Sequence, residues 1–135
     1  MRIVMSYFWV ALGGALGSVA RFWCSGFVAQ TVGGTFPWGT MLVNVVGSFI
    51  IGFVGTLTGP DGRFLVTPDV RTFVMVGFCG GYTTFSSFSL QTLTLAYESE
   101  WLEAGGNILL SVVLCLLSVW LGHLAASSLN QLQGA

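Results

Sequence analysis

The chain has no lysine, a single histidine and only nine formally charged side chains in 135 residues, four arginines against five acids, for a net charge of −1. Soluble domains carry about 25% charged residues, because a compact surface has to be solvated. Here the figure is 7%, too little to cover one. No basic stripe exists to meet nucleic acid. Three cysteines, Cys24, Cys79 and Cys115, fall in apolar stretches without metal-ligand spacing and read as small buried residues. One histidine cannot make a metal centre. Paired carboxylates inside a span, a histidine beside a nucleophile and a phosphate loop are all missing, so an enzyme lacks its parts.

What is there is hydrophobic, 54% of residues, with a mean hydropathy of +0.85. The charges sit at Arg2, at Arg21, in a cluster from Asp61 to Arg71 and in a second from Glu98 to Glu103. Phe22 to Pro60, Thr72 to Tyr97, and Ala104 to Ala135 apart from His123, carry none. A helix of roughly 20 apolar residues crosses a hydrocarbon core of about 30 Å. The pattern predicts one all-α integral membrane domain, 1–135, with four spans near 3–29, 38–59, 68–97 and 102–129. Arg2 could open a signal peptide, but no small-residue cleavage site follows and Arg21 interrupts the run, so the first span is expected to stay. Residues 59–62, Gly-Pro-Asp-Gly, predict a turn, and Thr67-Pro68 a helix N-cap with proline at the first helical position. Trp9, Trp38 and Trp101 suit interfacial anchors, and Arg2, Arg63 and Arg71 on one face lean the termini toward the cytoplasm.

The third span is unusual. Gly77, Gly80 and Gly81, followed by Thr83 and Thr84, stand at mid-membrane depth. Either Gly77-x-x-x-Gly81 makes a close helix contact, or the helix is broken and its freed backbone groups meet an ion, water or a partner. Polar side chains also align. Thr40, Asn44 and Ser48 recur every four residues on the second span, and Asn107, Ser111, Cys115, Ser118 and Gly122 form a stripe on the fourth. Thr84, Ser87 and Gln91 share a face beyond the break, beside Phe85 and Phe88. Such hydroxyls can line a polar pathway or bond to their own helix, the expectation for Ser48 and Ser118. Arg21 either snorkels to the interface or stands at a pore mouth. His123 is expected at the interface rather than in a proton relay.

Three strings then become recognisable: Gly13-Gly14-x-x-Gly17-x-x-x-Arg21, Trp38-Gly39-Thr40-x-x-x-Asn44-x-x-Gly47-Ser48, and residues 77–88, GFCGGYTTFSSF. In this order, over nearly the whole chain, they resemble the small microbial fluoride channels, the Fluc or CrcB family. The resemblance implies a dual-topology antiparallel homodimer in the bacterial cytoplasmic membrane, with two fluoride pathways and a structural sodium ion at its centre. It implies sodium on the backbone carbonyls of Gly80 and Thr83 from each subunit. Fluoride would pass Asn44, the ring edges of Phe85 and Phe88, and the hydroxyls of Thr40, Ser87 and Ser111, with Arg21 near the entrance. Two departures are Asn107 and Cys115 flanking Ser111, and Gln91 where some relatives carry a glutamate.

The chemistry is compatible. Fluoride is small and strongly hydrated, so neutral donors and positive ring edges can replace its water without holding it too tightly to leave. Four spans are too few to enclose a dry pathway alone, and Gly13 and Gly17 favour a close partner, so self-association is expected. Two rivals are a small multidrug-resistance-like transporter, for which the first span lacks the embedded carboxylate, and a non-conducting membrane assembly protein, which gives no reason for the register of Asn44 with the break.

Overall fold

The computed structural model describes residues 2–132, with the Arg2 side chain excepted; residues 1 and 133–135 of the expected domain lie outside the described residues, as does the Arg2 charge that entered the topology argument. Charge segregation along the chain becomes helix here. The long apolar runs form α1 (Arg2–Val32), α2 (Trp38–Leu57) and α6 (Trp101–Gln131), each long and apolar enough to cross a membrane. The third run is assembled from α3 (Pro68–Arg71), a π-helix π1 (Thr72–Cys79), α4 (Gly80–Tyr82) and, beyond an extended Thr83-Thr84, α5 (Phe85–Tyr97). All regular structure among the described residues is helical.

Local chemistry sets the ends. Gly33 and Gly34 stop α1 with φ of +68° and +82°, a left-handed conformation that glycine adopts without strain. Gly62 N–H closes the expected turn on the Gly59 carbonyl at 2.9 Å. Thr67 Oγ1 accepts from Val70 N–H at 3.4 Å, with Pro68 at the first position of α3. Arg71 Nη1 donates to the Thr58 carbonyl at 2.7 Å, satisfying an end group of α2 that no further turn can reach. The loop from 58 to 67 is also tied to α6, where Asn130 Oδ1 accepts from Arg63 N–H at 2.8 Å. His123 Nδ1 pairs with Thr56 Oγ1 at 2.8 Å nearby.

Packing relies on small residues. Lipid tails are as apolar as leucine, so spans associate through close backbone approach rather than hydrophobic burial. α1 lies along π1 and α4, and α2 along α6. A methyl group on Gly13 would stand 2.5 Å from the Phe73 carbonyl oxygen, and one on Gly81 the same distance from the Gly14 carbonyl. Gly17 is pressed likewise on the Phe78 carbonyl, Gly52 on that of Val119, and Gly122 on that of Phe49. This corrects one expectation: Gly13 and Gly17 meet their close partner inside the same chain. Both readings of Gly77-x-x-x-Gly81 hold together, since the segment makes the contact and the helix breaks just after it. Ser48 bonds to its own helix through the Asn44 carbonyl at 2.7 Å, but Ser118 does not; its hydroxyl crosses to the Val45 carbonyl of α2 at 2.7 Å. Trp9 and Phe73 pack with their rings nearly perpendicular, 87° between planes and 6.1 Å between centroids.

Candidate functional site

The site grows from the break. Thr83 has ψ 157° and Thr84 has φ −152° and ψ 113°, an extended conformation that suits β-branched residues. The turn this removes leaves backbone groups without helical partners, and each one buried unpaired costs several kcal/mol. The Thr84 N–H that a continuous helix would give to the Gly80 carbonyl goes instead to Asn44 Oδ1 at 2.7 Å. Asn44 Nδ2 returns a bond to the Thr84 carbonyl at 3.0 Å. One carboxamide from α2 thus satisfies both backbone groups of one residue, as a neighbouring strand would. Gly47, one position short of a turn further along α2, leaves the space that the Thr83 methyl occupies. Thr84 then caps α5, its Oγ1 accepting from Ser87 N–H at 3.1 Å while it donates to Ser87 Oγ at 3.0 Å.

Beside the break lies a cavity of about 440 Å³. Asn44 and Ser48 line it from α2, Gly80 and Thr83 from the break, Phe85 and Phe88 from α5, and Ser111 and Cys115 from α6. The two phenylalanine rings stand 5.2 Å apart at 48°. Phe88 is buried, whereas Phe85 is 77% exposed. The lining is mostly apolar, with a few polar atoms set where they converge.

Five of the seven expected pathway residues need separate comment. Asn44 and Ser111 join the two rings at this cavity, but Asn44 is already committed to Thr84 through its oxygen and one N–H. Thr40 lines a second cavity of about 250 Å³, with Gln91 and the loop between α1 and α2. Ser87 is engaged in the cap of α5, and half-buried Arg21 lines neither cavity. Gly80 is exposed, with open space where a side chain would be. Its carbonyl loses the Thr84 N–H to Asn44, and that of Thr83 loses the Ser87 N–H to Thr84 Oγ1, so neither keeps its α-helical donor.

Thr92 is the residue that sequence reasoning passed over. Its Oγ1 donates to the Phe88 carbonyl at 2.8 Å and accepts from Asn107 Nδ2 at 2.8 Å. Asn107, 1% exposed, accepts in turn from Ser111 Oγ at 3.3 Å. The available signal was spacing, since Thr92 stands one helical turn beyond Phe88.

Residues 8–123 match the family described as CrcB-like protein, Camphor Resistance (CrcB). A protein of Methylocella silvestris named fluoride-specific ion channel FluC is 63% identical over 131 residues, 97% of this chain and 100% of its own. Proteins of the same name from Opitutus terrae and Rhodospirillum rubrum are 64% and 59% identical, covering 96% and 94% of this chain and 98% of each relative.

Proposed function

The chain belongs to the CrcB-like family, and from that membership we infer that it is a fluoride-specific ion channel, a multi-pass membrane protein and not an enzyme. The observation that carries the reading is the near full-length identity to relatives bearing that name. Passive conduction lets fluoride leave a bacterial cytoplasm down its gradient and relieves its toxicity. Coupled export of the multidrug type would need an embedded carboxylate, and the described acids lie at loops and helix ends, from Asp61 to Asp69 and from Glu98 to Glu103. The test is fluoride efflux from proteoliposomes compared with chloride. Fast fluoride release with negligible chloride release is expected; equal or absent release would overturn the reading.

The finer reading is a pathway through the cavity at the break. Phe85 and Phe88 offer ring edges, Asn44 its remaining amide hydrogen, and Ser111 a hydroxyl. Thr40 and Ser87 extend the path toward the second cavity, and Arg21 draws anions to its mouth without standing in it. Moderate, repeated contacts allow entry and release alike.

An antiparallel homodimer completes the walls. Exposed Phe85 and Gly80 support this, since a single copy leaves both a pathway residue and a residue of the break uncovered. Carbonyls of Gly80 and Thr83 from two copies would give four neutral oxygens, a donor set that fits sodium. No carboxylate lines the cavity to favour a divalent ion. Bound there, sodium would supply positive charge to hold the two breaks together; the ion has a structural role.

A further inference from the structure

The bonds from Ser111 to the Phe88 carbonyl form a chain whose direction is forced from one end. A backbone carbonyl can only accept, so the single hydrogen of Thr92 Oγ1 is spent on Phe88. Thr92 Oγ1 can then only accept from Asn107, which must turn its NH₂ group that way. Asn107 therefore presents its carbonyl oxygen to Ser111, and the single Ser111 hydrogen is drawn to it. Ser111 lines the cavity, yet it offers that cavity lone pairs, which repel an anion.

We propose that Asn107, held by Thr92, is a positioning residue that withholds the Ser111 hydrogen from the pathway until a passing anion competes for it. The bond to be broken is the weakest of the chain, 3.3 Å against 2.8 Å for the other two. A hydroxyl donor at 3.3 Å is well beyond the usual range of about 2.5–3.0 Å, so it yields first. Rotation of one hydroxyl then exchanges an internal acceptor for fluoride. The exchange weakens binding at this point by about the worth of one bond, which keeps the ion mobile. The proposal rests on the fluoride-channel reading and deepens it.

The experiment measures single-channel fluoride current against fluoride concentration in planar bilayers, for the parent, Asn107→Leu, Thr92→Val and each combined with Ser111→Ala. Removing Asn107 frees the Ser111 hydrogen. Removing Thr92 lets the Asn107 amide turn its NH₂ toward Ser111, with the same result. Both variants are expected to lower the half-saturating concentration by about three- to tenfold, the net worth of one hydrogen bond. Ser111→Ala is expected to abolish that gain in each background. An unchanged half-saturation in both, or a gain that survives Ser111→Ala, overturns the proposal. A fall in current amplitude alone, with no shift in half-saturation, assigns Asn107 to packing and also overturns it. Absence of fluoride current in the parent would instead defeat the channel reading itself.

Discussion

At the scale of single residues, two side chains of one type carry different burdens. Phe88 is buried in its subunit and Phe85 is exposed, though both line the cavity. Phe88→Leu is expected to lower fluoride efflux and also the thermal midpoint of the purified protein, since shape changes in a packed core cost about 1 kcal/mol. Phe85→Leu is expected to lower efflux while leaving the subunit fold intact, which size-exclusion chromatography and circular dichroism would check. Asn44 is a second case. Asn44→Ala strips partners from the N–H and carbonyl of Thr84 and is expected to cost about 1–3 kcal/mol for each group, read as a lower unfolding midpoint with loss of efflux. Asn44→Asp keeps an acceptor for the Thr84 N–H but faces the Thr84 carbonyl with an oxygen, and it adds a negative charge to the anion's route. It is expected to lose efflux.

At the scale of elements, the glycines sort by what lies over them. Gly14 leaves ordinary room, its added carbon 3.9 Å from the Gly77 carbonyl, while Gly17 sits directly on the Phe78 carbonyl. Gly14→Ala is expected to be tolerated and Gly17→Ala to drive α1 from π1, with aggregation or loss of yield on size-exclusion chromatography. Much of this architecture was legible in the amino acids. Helices end at Val32, Leu57 and Gln131 where span limits of 29, 59 and 129 were expected, though no charge stands beside the first or the last of these ends. Glycines and threonines marked the break, and Thr67-Pro68 the cap. Other features were hidden for physical reasons. Thr72–Cys79 is apolar nearly all round and only eight residues long, so it shows no period that would tell a π-helix from an α-helix. Whether Gly13 and Gly17 face their own chain or another depends on tertiary packing, as does the reach of Ser118 to Val45. Asn44 was visible as a polar residue in register with the break, but its double bond to one peptide unit requires coordinates.

At the scale of the whole molecule, the single chain leaves an aromatic ring of the cavity uncovered. The cavity wall includes an exposed ring, and much of the outer surface from Ile3 to Leu132 is large and apolar. Lipid can cover most of that surface, while the proposed cation site at Gly80 and Thr83 calls for a polar partner. If the proposed sodium-bridged dimer forms, replacing sodium by a bulky organic cation is expected to slow fluoride efflux and to weaken that dimer on size-exclusion chromatography. Retention of both would refute the cation site without touching the channel assignment.

The broken third span also has an electrical meaning. Aligned peptide units give a helix about half a positive charge at its N-terminus and half a negative charge at its C-terminus. A continuous helix keeps those poles at the membrane surfaces, where water screens them. The cut at Thr83-Thr84 brings one of each into the interior: the negative end of the segment finishing at Tyr82, and the positive end of α5 beginning at Phe85. A single discontinuity thus presents opposite poles within a few residues, one hospitable to a cation and the other to an anion. The protein gains both without burying a lysine, of which it has none, or a carboxylate. Because the poles belong to the backbone, no change of pH can discharge them.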